Sequence, residues 1–466
     1  MRRGSVNTMG KLLVISSDAM VGEDLEYFKT LPNYKKYLSG GAEITNVSSI
    51  YPSVTFPAHV TMMTGLYPDR HGVFSNMQML PGSDPTPWQW GYERIQGTDI
   101  FRVAKAAGKT TAAVFWPVTA QNPAIDYHIA DYWAQGDGET NEKAFARAGA
   151  SEEVLEIIRK NEHLFAGVER EHPQRDEFGI ACAADIIRRF QPDLLLVHPA
   201  NIDAVRHENG VFGSHLKLAL EMFDHWLGIL CGAAEEADVL EETNIFVVSD
   251  HGQQDVRRNI ALNVLLAEQG FIHIAQDGSI SHWDAWCLSN GMSALVFLRD
   301  KNDRILYDRV YSFLKELKEK EVYGFSRIYT EEEAREEEHF GGEFSFVLET
   351  DGYTAFGDYY VKPLVRELTN SDYRFGKATH GYLPDKGPQP VLLAKGPGIR
   401  ENIVLNGNHI VNVRFMQSLH RQLSPRGWLL QLFLVELLVL NVRRGIIQQE
   451  PERLHWYVLA LPSLLL

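Results

Sequence analysis

The feature that most constrains this chain is an alternation of short apolar runs with longer amphipathic segments. The apolar runs are rich in leucine or β-branched residues and predict strands at 12–15, 110–115, 194–197, 245–248 and 391–394. Helical periodicity between them predicts helices at 153–164, 178–190 and 216–230. Strands alternating with helices are typical of α/β proteins, in which helices cover both faces of a mostly parallel sheet. Uninterrupted apolar runs also favour strands that are buried on both sides.

The pattern changes after Asn259, where the apolar runs become shorter and more mixed. Thr330 and Glu333 have the spacing of a capping box, which predicts the start of a helix, and the glutamates that follow are typical of a solvated face. We therefore predict an α/β catalytic core at 9–264 and 376–413, with an inserted cap or lid at 265–375. Residues 414–466 form an atypical C-terminal tail.

The charge and the cysteines restrict the partners and the compartment. The formal net charge of −16 argues against a nucleic-acid surface, which would need a basic face. The chain has three cysteines, far apart in sequence, so a disulfide framework is not expected and a reducing compartment fits. They are Cys182, Cys231 and Cys287.

Neither apolar candidate for a targeting or membrane segment is long enough. The run at 12–15 is too short for the apolar part of a signal peptide. The stretch at 428–442 has 15 residues and contains Gln431 and Glu436, so it does not predict a membrane span. We expect a soluble, cytoplasmic protein.

Acidic residues and histidines lie beside the predicted strands, at the edge where open α/β sheets bind their ligands. They are Asp18 after the first strand, Asp203 and His207 after the third, Asp250 and His251 after the fourth, and His380 before the last. Singly, each has a plain structural alternative: a turn residue, a surface ion pair or a loop histidine. Together they suffice for two cations, with ligand sets Asp/Asp/His and Asp/His/His. Imidazole combined with carboxylate favours zinc over magnesium.

A hydroxyl accompanies these ligands. Thr55 lies in a turn bracketed by Pro52 and Pro57, and its structural alternative is the N-cap of a helix at 58–63. Two cations about 4 Å apart form the clamp that is used for displacement at phosphorus. One would activate the Thr55 hydroxyl as a nucleophile, and the other would neutralise the leaving oxygen.

The order of these motifs resembles the alkaline phosphatase superfamily, and most of all its nucleotide pyrophosphatase/phosphodiesterase branch. The resemblance covers about 10–413 and rests on two groups of motifs. The first is Asp18, Thr55, Asp203-x-x-x-His207, Asp250-His251 and His380-Gly381; the second is Tyr51-Pro52-Ser53-Val54-Thr55-Phe56-Pro57, Thr64-Gly65-Leu66-Tyr67-Pro68 and His71-Gly72. It implies an alkaline-phosphatase-like α/β fold and two zinc ions per chain.

The resemblance also implies a role for each matching residue. One zinc ion would be surrounded by Asp18, Thr55, Asp250 and His251, and the other by Asp203, His207 and His380. Asn76 matches an asparagine that donates to a phosphoryl oxygen, and a turn residue is its alternative. Phe56 and Tyr132 would flank the leaving group, although core packing is an alternative for Tyr132.

Two departures from the superfamily stand out. The sulfatase branch carries Cys or Ser in a C/S-x-P-x-R pattern, whereas this chain has Thr55-x-Pro57-x-His59, which disfavours sulfatase chemistry. After Val413 relatives continue into a Pro-Thr helix, whereas this chain becomes rich in leucine and arginine without a recognisable pattern.

Three functions remain open at this point. The leading one is a two-zinc phosphodiesterase or nucleotide pyrophosphatase that forms a covalent intermediate on Thr55. The second is a phosphomonoesterase or phosphonate hydrolase that uses the same site. No motif places an arginine that could bind a dianionic monoester, and its lack favours diesters as substrates. Arg70 and Arg206 are candidates for such an arginine. The third is a catalytically silent metal-binding module. The sequence leaves the physiological substrate and the oligomeric state open.

Overall fold

A computed structural model describes residues 10–83, 86–136, 138–165, 167 and 170–412. The predicted tail at 414–466 lies outside the described residues. The strands are β1 Lys11–Ser16, β2 Ala42–Ser48, β3 Thr111–Val114, β4 Tyr127–Ile129, β5 Leu194–Val197, β6 Thr243–Val248, β7 Gln254–Asp255, β8 Arg258–Ile260, β9 Ile272–Ile274, β10 Ile280–Trp283, β11 Ala285–Ser289, β12 Ser293–Leu298, β13 Phe325–Thr330, β14 Phe346–Thr350, β15 Thr354–Phe356, β16 Val365–Arg366, β17 Ala378–Thr379, β18 Leu392–Lys395 and β19 Ile403–His409.

The α-helices of the described residues range from single turns to the 21 residues of Leu216–Glu236. They are α1 Leu25–Phe28, α2 Pro32–Tyr37, α3 Thr55–Thr64, α4 Pro68–His71, α5 Ile100–Ala106, α6 Asn141–Arg147, α7 Glu152–Asn161, α8 Gln174–Phe190, α9 Asn201–Asn209, α10 Leu216–Glu236, α11 Leu262–Glu268, α12 Arg304–Glu319 and α13 Glu331–Glu338. Among the described residues, no helix has the length and apolar character needed to cross a bilayer.

The main sheet has eight strands in the order β19-β2-β18-β6-β1-β5-β3-β4. The neighbours from β6 to β4 are all parallel, whereas β18 runs antiparallel to both β6 and β2. All five strands predicted from the apolar runs lie in this sheet. The predicted α/β fold with a mostly parallel sheet is confirmed.

Helices cover both faces of this sheet. Leu13 and Ile15 of β1 belong to a core cluster that also contains residues of α8 and α10. Leu12 and Val14 point to the opposite face and are buried as well. Ser16 shares that second face, where its hydroxyl lies 2.9 Å from Nε2 of His59 in α3. The strands therefore read as uninterrupted apolar runs because neither face meets solvent.

A second sheet lies within the predicted cap. Its order is β11-β12-β14-β13, all antiparallel, and α12 and α13 belong to the same part of the chain. The capping box is present: the Thr330 hydroxyl accepts from the Glu333 N–H, and the Thr330 N–H donates to the Glu333 carboxylate. Tyr51 and Met77 of the catalytic region pack into the core of this segment. The exact division at 265–375 stays a prediction, since Gly10–Arg414 form one compact unit.

Candidate active site

The sheet topology brings the candidate ligands to one edge. Because β1, β5 and β6 are parallel, the residues that follow them meet at their carboxyl ends. Asp18 follows β1, α9 with Asp203 and His207 follows β5, and Asp250 follows β6. The first residue of the antiparallel β18 pairs with the last residue of β6, so β18 begins at this same edge. This explains why His380 precedes its strand while the other ligands follow theirs.

The position of His380 depends on a short strand pair and a glycine. In that pair, β17 runs antiparallel to β7, which lies just after His251. Gly381 then donates its N–H to the Ser53 carbonyl at 2.9 Å. Gly381 has a φ of 98°, and a Cβ there would clash with the Asn290 carbonyl oxygen. The His-Gly pair of the sequence is thus a requirement of backbone packing beside the site.

The first ligand group consists of Asp203, His207 and His380. One ligand atom from each lies within 4.8 Å of the others. His207 uses Nδ1 to donate to the Ala378 carbonyl at 2.7 Å, and its Nε2 lies 3.0 Å from a carboxylate oxygen of Asp203. Gln253 donates to the other Asp203 oxygen at 2.6 Å. Such outer contacts orient imidazole and carboxylate ligands in metal sites.

The second group surrounds the Thr55 hydroxyl. Nε2 of His251 lies 3.1 Å from Thr55 Oγ1, 3.2 Å from Asp250 Oδ2 and 3.5 Å from Asp18 Oδ1. Asp203 also lies within 4.8 Å of Asp18 and His251, as measured between their ligand atoms. Asp203 therefore stands between the two groups.

The electrostatics of both groups favour a bound cation. Burial raises the pKa of Asp18, and Asp203 adds to the rise; burial and then Asp18 likewise raise the pKa of Asp250. Burial acts to raise the pKa of Asp203 and is the largest single effect, but the charges of His207 and His380 and the side-chain contacts of His207 and Gln253 together lower that pKa. Buried carboxylates that repel one another lose this penalty when a cation lies between them.

The histidines and the remaining polar atoms agree with this interpretation. Burial lowers the pKa of both His251 and His380, which keeps their imidazoles neutral, as metal ligation requires. Five buried atoms of the ligand residues have no hydrogen-bond partner: Asp18 Oδ1, His207 Nε2, Asp250 Oδ2, His251 Nδ1 and His380 Nδ1. A mixed set of carboxylate and imidazole donors with unused atoms fits zinc.

Thr55 is the first residue of α3, and Val54 occupies the N-cap position. The N-cap alternative for Thr55 is therefore wrong: its hydroxyl contacts His251 and does not cap the helix. His59, one turn later, lies 2.8 Å from the Thr55 carbonyl through Nδ1. The nucleophile candidate thus begins a fixed helix whose positive end faces the ligand groups.

Asn76 lies beside Thr55 and has a defined amide orientation. Its Oδ1 accepts the backbone N–H of Phe56 at 2.8 Å, so the oxygen and the nitrogen of the amide can be told apart. The Nδ2 group remains as a donor at the cavity wall, which Asn76 lines together with Thr55.

A cavity of about 150 Å³ opens in front of Thr55. Phe56 lines it and packs against Trp88 with ring centroids 5.2 Å apart. Tyr132 does not line it, which corrects the sequence-based interpretation. Side chains alternate along an extended segment, so Asp131 and Trp133 face the cavity while Tyr132 packs on Trp90. Trp133 is the aromatic residue of this segment that lines the cavity.

The structure also adds residues that no motif indicated. His198, directly after β5, lines the cavity and lies 3.0 Å from Asp18. The position of His198 directly after a buried strand was the one sequence signal that could have indicated it. Arg170 lies in the segment before α8, and Arg175 lies in the first turn of that helix. Both line the cavity, and no sequence pattern marks either of them. Of the two arginines considered from the sequence, Arg206 is buried and binds Asp24 at 2.6 Å, and Arg70 does not line the cavity.

Comparison with known families gives a match over most of the chain. Residues 12–383 match the family described as type I phosphodiesterase / nucleotide pyrophosphatase. Venom phosphodiesterase 2 of Crotalus adamanteus is 23% identical over 261 residues, which cover 53% of this chain and 27% of the relative. Ectonucleotide pyrophosphatase/phosphodiesterase family member 3 of Bos taurus is 23% identical over 252 residues, which cover 52% of this chain and 24% of that relative. The chain thus spans about a quarter of the length of these relatives.

Solved structures agree on the fold. Murine ectonucleotide pyrophosphatase / phosphodiesterase 5 superposes with a TM-score of 0.60 at 18% identity, covering 88% of this chain and 95% of that one. An inactive variant of the same murine protein, in complex with AMP, gives a TM-score of 0.60 at 17% identity.

Proposed function

This chain belongs to the type I phosphodiesterase / nucleotide pyrophosphatase family, and on that premise we propose that it hydrolyses phosphodiester or phosphoanhydride bonds of small nucleotide substrates. The proposed reaction uses two zinc ions and a covalent intermediate on Thr55. One observation carries the proposal: the Thr55 hydroxyl lies at the start of α3 and 3.1 Å from His251, beside two adjoining groups of buried carboxylates and imidazoles.

Each residue has a task in this reaction. Bound in the two ligand groups, the metal ions would supply charge neutralisation at the phosphoryl group and activation of the hydroxyl. Thr55 Oγ1 loses its proton and forms a bond to phosphorus as the bond to the leaving oxygen breaks; water then hydrolyses the phospho-threonine, and Oγ1 regains a proton. Asn76 Nδ2 donates to a phosphoryl oxygen, and the positive end of α3 lies on the same side. Phe56 and Trp133 contribute aromatic surface for the organic part of the substrate.

Asn76→Ala is expected to slow hydrolysis of a nucleotidyl diester by about a hundred- to a thousandfold, the range found when one oxyanion donor is lost. Steady-state kinetics with the 4-nitrophenyl ester of thymidine 5′-phosphate measures the change. Asn76→Asp is the matched variant, because it keeps an acceptor for the Phe56 N–H but removes the donor. A fully active Asn76→Asp enzyme would show that Asn76 only positions α3.

The diester preference gives a separate test. A diester has one negative charge at phosphorus and an additional organic group, for which the cavity offers Phe56, Trp88 and Trp133. We expect kcat/KM for an aryl diester to exceed that for the matching monoester by at least ~100-fold, or about 2.7 kcal/mol of differential transition-state binding. The assay compares bis(4-nitrophenyl) phosphate with 4-nitrophenyl phosphate. A preference for the monoester would favour the phosphomonoesterase alternative on the same site.

The cytoplasm remains our proposal for the compartment. Cys182, Cys231 and Cys287 are all buried free thiols, and burial raises the pKa of each. Fractionation of cells that produce the chain tests this proposal independently of the chemistry.

A further inference from the structure

Arg206 lies between two candidate ligands on α9 but does not face the substrate. It comes three residues after Asp203 and directly before His207, yet its side chain is fully buried and does not line the cavity in front of Thr55. A guanidinium in the protein interior must be paired, because a buried charge without a partner is strongly destabilising. The partners of this guanidinium therefore show which segments it holds together.

The first partner is Asp24, in the loop that follows β1. A carboxylate oxygen of Asp24 lies 2.6 Å from the Arg206 guanidinium, and both side chains are buried. The same loop contains Asp18, and its Ala19 donates a backbone N–H to Asp250 Oδ1 at 3.2 Å. The ion pair therefore ties α9, which carries two ligands of the first group, to the loop that belongs to the second group.

The second partner is the Val211 carbonyl, just past the end of α9, to which Arg206 donates through Nη1. The N–H of Val211 in turn donates to Asp255 Oδ1 at 2.9 Å. Asp255 lies in β7 and pairs with Ala378 of β17, two residues before His380. Arg206 thus connects the segments that position the whole first ligand group to the loop of the second group.

We propose that Arg206 is a positioning residue: its ion pair with Asp24 sets the distance between the two ligand groups, and with it the zinc affinity of the group formed by Asp203, His207 and His380. The inference rests on the proposed function, since it presumes that both ligand groups bind zinc. A positioning role can be separated from a purely structural one, because removing both members of a buried ion pair leaves no unpaired charge, whereas removing one member does.

The decisive variant combines Asp24→Asn with Arg206→Met. Asparagine keeps an acceptor for the Val21 N–H, and methionine is unbranched and apolar, so neither charge is left alone. The metal-free double variant should unfold at a temperature close to that of the unmodified chain. Its zinc dissociation constant for the group on α9 should nevertheless rise by about ten- to a hundredfold, the usual effect of losing an outer contact of a metal ligand.

Zinc titration of the full chain in competition with a chromophoric chelator measures both dissociation constants. His207→Ala identifies which constant belongs to the group on α9, because it removes one ligand of that group. Arg206→Lys keeps a charge for Asp24, but an ammonium lacks the planar fork that reaches both Asp24 and Val211. Its zinc dissociation constant should therefore rise by a smaller factor.

Asp224→Asn is the matched control. Asp224 is a buried carboxylate that accepts the Tyr34 N–H at 2.7 Å, and it neither lines the cavity nor belongs to a ligand group. This variant should lower thermal stability without changing either zinc dissociation constant.

Unchanged zinc affinity in a folded double variant would show that the ion pair only stabilises the fold, and it would overturn the inference while leaving the two-zinc site intact. If the double variant does not fold, Arg206→Lys decides, and unchanged affinity in that variant counts against the inference in the same way. An unmodified protein that binds no zinc would instead overturn the proposed function.

Discussion

Thr55→Ala should lower kcat for an activated diester by at least about three orders of magnitude, because the covalent route is lost. Thr55 is 7% exposed and its hydroxyl lies among the ligand groups, whereas the nearby Ser53 hydroxyl donates to the Tyr382 carbonyl at 2.8 Å. Thr55→Ser should retain far more activity, since it keeps Oγ and loses only a methyl group. Steady-state and pre-steady-state kinetics with bis(4-nitrophenyl) phosphate measure both variants.

The matched control for this prediction is Thr30→Ala. Thr30 is exposed, and its hydroxyl donates only to the Tyr27 carbonyl. This variant should leave kcat unchanged. If Thr55→Ala remained within about tenfold of the unmodified enzyme, a water molecule would be the nucleophile and the covalent step would be abandoned. A catalytically silent module, in turn, would show no difference among the unmodified protein and its three variants.

Removal of metal should abolish activity, and added zinc should restore it. The donor set predicts about two zinc ions per chain, since two ligand groups adjoin one another. Asp203→Asn should have the largest effect on metal content of any single ligand, because Asp203 belongs to both groups. Elemental analysis of purified protein measures the stoichiometry, and assays after dialysis against a chelator measure the activity.

Asp277→Asn serves as the control for the charge change, because Asp277 is exposed and hydrogen bonds only to Ser279. Its zinc content should equal that of the unmodified protein. Full activity in exhaustively metal-free protein would contradict the two-metal site, whatever the outcome at Thr55.

Much of the fold could be predicted because the central strands are buried on both faces. A strand such as β6, buried along its whole length, leaves an uninterrupted apolar run in the sequence. In contrast, β2 is mostly half-buried, β19 is largely exposed, and both contain polar residues, so no hydrophobic pattern marked them. The three-residue β4 is too short to produce one. Their place in the sheet depends on pairing: β2 pairs with β18, β19 with β2, and β4 with β3.

The sequence by itself determined which residue types follow the buried strands, and hence the candidate ligands Asp18, Asp203, His207, Asp250 and His251, whereas Thr55 and His380 were indicated by their motifs. Local order sufficed for those five ligands because each comes after the end of a buried strand. Only the tertiary structure decided that β18 runs antiparallel, that Asp203 adjoins both ligand groups, and that Trp133 rather than Tyr132 faces the cavity. It also brought Arg170 and Arg175 to the wall of this cavity. Such relations join residues that are distant in the chain, and side-chain direction in a loop is fixed by packing rather than by a local pattern.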